Sequence, residues 1–189
     1  MLPNAIQSVS AWLRTVADDN SFAAISGLKG YSISEPVGGY GCFEGEYVDC
    51  TNLERSKYNL WEDKAEVYKT KLLREYRFPE YECEDFLTES IVWDRVAADG
   101  YKIRWYNEVI YICQYLEDGL SQNISRKFLE NPKGALLYLN SLEQIHGAEK
   151  TDPIRLQYYK DLIEEYGNEK AFEYINMARN MGFYRGCKQ

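Results

Sequence analysis

Apolar residues recur every three to four positions in "NAIQSVSAWLRTVAD", where Ile6, Val9, Leu13 and Val16 share one face and Trp12 stands beside them. That spacing predicts an amphipathic helix with Asn4 as its N-cap. "FAAISGL" from Phe22 is short, largely apolar and bounded by polar residues, the pattern of a buried strand. "EYVDCT" reads as a short strand, and "KAEVYKTKLL" begins as a strand and turns helical towards "LREY". Pro79 closes that element, because proline disfavours helical geometry in the residue before it. "ESIVWDRVAADG" predicts a helix carrying Ile91, Val92 and Val96, ended by Gly100. The β-branched and aromatic run "YKIRWYNEVIYICQY" predicts two short strands or one bent strand, with a polar break at Asn107–Glu108. From Pro132 onward the period is helical. Leu136, Leu139 and Leu142 mark a first helix, Leu156, Tyr159, Ile163 and Tyr166 a second, and Phe172, Ile175 and Ala178 a third. Gly147 and Gly167 sit at the breaks, and Asp152–Pro153 predicts a helix start. The order is an α/β part to about residue 130, then a helical tail, without internal repeats.

Composition narrows the classes. The 189 residues are 45% hydrophobic and 28% charged, which suits a globular chain. A net charge of -8 argues against a general nucleic-acid binder and against an anionic membrane surface. No run approaches the ~18 apolar residues of a membrane span. Seventeen tyrosines suit stacking on sugars or nucleotides, and interfaces equally. Cys42, Cys50, Cys83, Cys113 and Cys187 form no C-x-x-C pair, so a reduced, cytoplasmic-type compartment is expected. Gly38, Gly39, Gly41 and Gly45 match no common phosphate-binding pattern and read as a turn or hairpin. The sole histidine, His146, ends an amphipathic helix and reads as structural.

One stretch raises a question of chemistry. "ECEDFLTES" packs Glu82, Glu84, Asp85 and Glu89 into nine residues ahead of an apolar helix. It is a solvated loop, a metal site, or the acid/base end of an active site. The helix dipole alone favours acidic residues there.

The block from Asp63 to Asn123 resembles the C-terminal half of a family 2 glycosyltransferase of the GT-A type, and "WDRVAADGYKIRWYNEVIYICQY", Trp93 to Tyr115, matches its motif order. There an acidic pair precedes a helix ending in "R-[LV]-A-x-x-G-Y-K" and a strand ending in Tyr. The opening "LPNAI" is similar to the segment that follows the family's Asp-x-Asp motif. The resemblance covers roughly residues 1–130, leaving 131–189 as a helical C-terminal extension. It implies an α/β fold, a partial GT-A-like sheet, mostly parallel or mixed and flanked by helices. It implies a nucleotide-sugar donor, a glycan acceptor, and Mg or Mn for the complete enzyme. The family's acidic pair falls on Thr88 and Glu89, with Glu89 at the base position, where aspartate is commoner. Glu84 and Asp85 are expected helpers in substrate binding. Asp118, Gly119 and Ser121 in "LEDGLSQN" are expected near the donor diphosphate or the acceptor.

The chain contains no Asp-x-Asp motif, so no metal ligand is assigned within it. Two origins are open: a truncated piece of an enzyme, inactive alone, or a remnant turned non-catalytic binding module. The first is favoured because "LPNAI" keeps the junction. An exposed sheet edge is then expected to pair with a second copy. A glycoside hydrolase ranks last, since it needs two carboxyl groups facing each other across a cleft.

Overall fold

A computed structural model describes residues 2–116, 119 and 123–180. The chain divides into two compact units, Met1–Tyr76 with Val96–Gln114, and Arg77–Arg95 with Tyr115–Gln189. The segment carrying the acidic stretch therefore groups with the C-terminal helices, not with the sheet.

The first unit is a curled mixed sheet with helices. Helix α1 (Ala5–Arg14) precedes β1 (Phe22–Ser32), β2 (Glu35–Pro36) and β3 (Tyr47–Cys50). A 3-10 turn (Asn52–Tyr58), β4 (Lys64–Tyr68), α2 (Thr70–Glu75) and, later, β5 (Lys102–Ile112) complete it. The spatial order is β2-β1-β5-β3, and β4 also pairs with β1. Strands β1 and β5 are parallel, whereas β2 and β4 on β1, and β3 on β5, are antiparallel. Only one of these four pairings is parallel, so the described sheet is mixed instead of mostly parallel. Residues Phe22 to Leu28 are all buried, Ser26 included, which explains why the run shows no apolar–polar alternation: both faces of β1 are covered.

Packing corrects one face and settles one alternative. Ala5, Trp12 and Val16 of the α1 region bury against Phe22, Ile25, Tyr106 and Ile110, while Ile6 is 62% exposed. The helix turns so that its tryptophan, the largest apolar side chain available, enters the core. Strand β5 is one strand with shifts in its register against β1. Its polar break is used. The Asn107 amide donates to the Gly41 carbonyl at 2.8 Å and its oxygen accepts the Gly41 N–H at 2.7 Å, fixing the glycine loop. Glu108 faces solvent and accepts the Ser8 hydroxyl at 2.7 Å.

Helix α3 (Ser90–Ala98) runs from the second unit into the first. Beyond it Gly100 has φ +90°, a backbone conformation other residues rarely adopt.

The second unit is helical, with α4 (Ile124–Glu130), α5 (Pro132–His146) and α6 (Ala148–Asn180). Helix α6 is interrupted at Gly167 (φ 77°, ψ 165°), where the pattern predicts a break. Its core joins Ala135, Leu136 and Leu139 of α5 to Tyr158, Leu162, Ala171 and Ala178 of α6. Two buried-side tyrosines do more than fill space. The Tyr158 and Tyr166 hydroxyls each donate, at 2.7 Å, to the carbonyls of Phe128 and Leu129. These are end-of-helix carbonyls that α4 itself leaves without partners. The expected start at Asp152–Pro153 is corrected: α6 begins at Ala148 and Pro153 lies inside it. Leu156 (60% exposed) and Phe172 (55% exposed) face solvent, because the tyrosine ties select the Tyr158–Leu162 stripe for burial.

Candidate functional site

The acidic stretch lies wholly in the second unit, and its carboxylates have separate fates. Half-buried Glu84 accepts the Lys133 N–H at 2.7 Å through Oε1 and the Gly134 N–H at 2.8 Å through Oε2. Both amides belong to the first turn of α5, whose N–H groups have no partner within the helix. A carboxylate there makes charge-assisted bonds and meets the positive end of the helix dipole. The clasp is reciprocal. Buried Asn131, just before α5, accepts the Asp85 and Phe86 N–H groups at 2.7 and 3.0 Å, and donates to the Lys127 carbonyl at 2.9 Å. Pro132 takes the first helical position, where its missing N–H costs nothing. Gly134 is tight against the loop: a Cβ there would stand 2.9 Å from Leu87 Cδ1 and 3.2 Å from the Phe86 carbonyl oxygen.

Asp85 is exposed and pairs with Lys127 at 3.7 Å, and Lys127 also meets Glu130 at 3.1 Å. The Glu130 contact first, and Asp85 second, hold the lysine's pKa above its ordinary value. Burial, assisted by the Glu84 charge, raises the Tyr81 hydroxyl. Pro79, Tyr81, Glu84 and Phe86 line a shallow hollow of about 350 Å³. Aromatic contacts close the loop, with Phe86 edge-on to Phe128 at 5.9 Å and Phe78 edge-on to Trp93 at 6.0 Å.

Glu89 differs from its neighbours. It stands immediately before α3, and its carbonyl accepts the Val92 and Trp93 N–H groups at 3.0 and 3.1 Å. Its side chain is exposed and has no partner among the described residues. Gly119 forms a turn, donating to the Leu116 carbonyl at 2.9 Å and accepting the Asn123 amide at 3.1 Å. Asp118 and Ser121 lie outside the described residues. Among the described residues no three His, Cys, Asp or Glu side chains are grouped to hold a metal ion. The described residues thus offer no group that fits the divalent cation the resemblance implies. No described helix is long and apolar enough to cross a membrane. Cys42, Cys50, Cys83 and Cys113 are free thiols.

The pattern of the chain does not reveal the clasp. "NPKG" at Asn131–Gly134 carries a readable signal, a cap residue followed by proline, but its partner Glu84 is 49 to 50 residues away. Compared with models of known families, with curated proteins and with solved structures, the chain finds no match in any of the three.

Proposed function

We propose that the chain forms the acceptor side of a GT-A-type glycosyltransferase, with Glu89 as general base. The observation that carries this reading is Glu89 itself. Within the acidic stretch Glu84 is held by two helix amides and Asp85 by a lysine, whereas Glu89, immediately before α3, presents a carboxylate with no partner among the described residues. The run from β4 and α2 through the acidic stretch and α3 to Gly100 and β5 also follows the order the resemblance implies. In the proposed step the acceptor hydroxyl attacks the anomeric carbon of a nucleotide-sugar. Its proton passes to the Glu89 carboxylate, and the bond from that carbon to the diphosphate breaks. Glu84 and Asp85 then support the reaction indirectly, by fixing the loop that leads to Glu89.

The test is sugar transfer by the complete gene product, assayed with UDP- and GDP-sugars and a glycan acceptor panel. Glu89→Gln keeps the shape and removes the base, and should lower turnover by about 100-fold or more. Unchanged turnover in that variant would remove Glu89 from the chemistry. A second reading, a non-catalytic binding module, is favoured by the structural employment of Glu84 and Asp85. It predicts no transfer with any donor, and partner binding indifferent to Glu89→Gln.

A further inference from the structure

The first unit contains a cleft of about 610 Å³ between α1, the start of β3 and the middle of β5. We propose that it binds a neutral saccharide, a ring that offers hydroxyl donors along its edge and an apolar face. The inference rests on the cleft alone and is independent of the transferase reading.

The inner wall is aromatic and fixed. Trp12 and Tyr106 stack with ring centres 4.1 Å apart and planes 6° from parallel. Tyr47 leans on Tyr106 at 5.5 Å, yet is 39% exposed. An exposed tyrosine near a strand end is ordinarily free to change rotamer. Here it is propped. The Arg104 guanidinium lies 3.9 Å from the centre of the Tyr47 ring. Arg104 is itself fixed by two 2.7 Å bonds to the Asp49 carboxylate. A rigid aromatic wall lowers the ordering cost of binding.

The polar groups determine what the wall can accept. Thr15 spends its hydroxyl proton on the Trp12 carbonyl at 2.6 Å, so in its 3.3 Å contact with Tyr106 the tyrosine hydroxyl donates. The Asn107 amide is engaged by Gly41. Glu108 uses one oxygen for Ser8 and keeps the other, and exposed Glu46 adds a second carboxylate. The cleft therefore offers two carboxylates as acceptors and a few neutral donors, among them the Tyr47 hydroxyl, and among the described residues no lysine or arginine lines it. Phosphates, sulfates and uronates are disfavoured. Carboxylates accept from vicinal hydroxyls in pairs, and the exposed Tyr47 ring, backed by the buried Trp12–Tyr106 stack, can cover the apolar face of a sugar. The volume suits two or three sugar rings, within the usual range of ligand clefts.

The test is a glycan array with the full chain, followed by titration of the best neutral di- and trisaccharides with tryptophan fluorescence as readout. We expect saturable binding, weakened about 10-fold in Tyr47→Ala and in Glu46→Gln. Each variant's thermal melt is run alongside, and Glu46→Gln, at an exposed site, serves if Tyr47→Ala fails to fold. Glu89→Gln, in the other unit, should bind as the parent does. Absence of neutral-glycan binding at millimolar concentration would overturn the proposal. So would binding that both cleft variants leave unchanged, or a preference for simple amines over sugars.

Discussion

Glu84→Ala is the sharpest structural perturbation available. It removes both acceptors from the Lys133 and Gly134 amides, at 2.7 and 2.8 Å, and leaves the first turn of α5 without a negative cap. A hydrogen bond to a charged group contributes about 1.5–3 kcal/mol. The helix dipole adds about 0.3–1 kcal/mol. Glu84 is only half-buried, so water replaces part of what is lost. The expected net cost is about 2–4 kcal/mol, a large share of a typical stability of about 5–15 kcal/mol. Glu84→Gln keeps one acceptor oxygen but turns an NH2 towards the second amide, and should lose about half as much. Urea unfolding followed by circular dichroism measures both. With a slope of about 2 kcal/mol/M, the alanine variant should unfold about 1–2 M earlier. A cycle with Asn131→Ala should show strong coupling, because the two side chains bracket the same junction. A cost below about 0.5 kcal/mol for Glu84→Ala would refute the clasp and return Glu84 to the pool of free carboxylates.

Further outcomes follow from neighbouring geometry. Gly134→Ala should destabilise by about 1–2 kcal/mol in the same urea assay, because crowding against Leu87 and the Phe86 carbonyl outweighs alanine's helix preference. Lys64 is 1% exposed, donates to the Val37 and Trp61 carbonyls, and burial lowers its pKa to about 8. The folded state therefore releases this proton before the unfolded chain does. Its contribution penalises folding below about pH 8 and is relieved as pH rises towards the ordinary 10.5, by up to about 3 kcal/mol. Burial raises the Cys50 thiol to about 12, which opposes that trend above pH 9, so the comparison is between the parent and Lys64→Met. Only the parent should gain stability relative to the variant from pH 8 to 10; parallel pH profiles would contradict the account. Arg104→Lys should cost about 1–2 kcal/mol in a thermal melt, since lysine cannot make the two-pronged bond to Asp49 or lie flat on Tyr47. Finally, β3 has no strand on its outer edge among the described residues, and a dimer through that edge is expected. A monodisperse monomer by light scattering would count against it.

What the chain discloses about itself depends on how local the cause is. Strand β1 is legible because burial on both faces leaves no alternation, and β4 and α2 because the period changes at Lys69–Thr70. Gly100 and Gly167 are legible because their backbone conformations suit glycine. Helix α4 is not anticipated: its seven residues are too short for a period, and it is held by the Tyr158 and Tyr166 hydroxyls from 30 and 37 positions away. The misjudged faces at Ile6, Leu156 and Phe172 have a related origin. Periodicity gives a stripe, but the heaviest partner across the interface selects which edge of it is buried. In the acidic stretch the positions of the carboxylates are legible and their division is not. What separates Glu84 from Glu89 is a helix start 49 residues downstream, which no local pattern can show.

That division can be tested at its functional end by measuring nucleotide release from a panel of UDP- and GDP-sugars, with acceptor present, for the complete gene product and its Glu89→Gln and Glu84→Gln variants. Turnover is expected in the parent, with a fall of about 100-fold or more in Glu89→Gln at an unchanged melting temperature. Glu84→Gln should lower the melting temperature and keep turnover below the melt. Turnover equal to the parent in Glu89→Gln, or no turnover of any donor, would contradict that division.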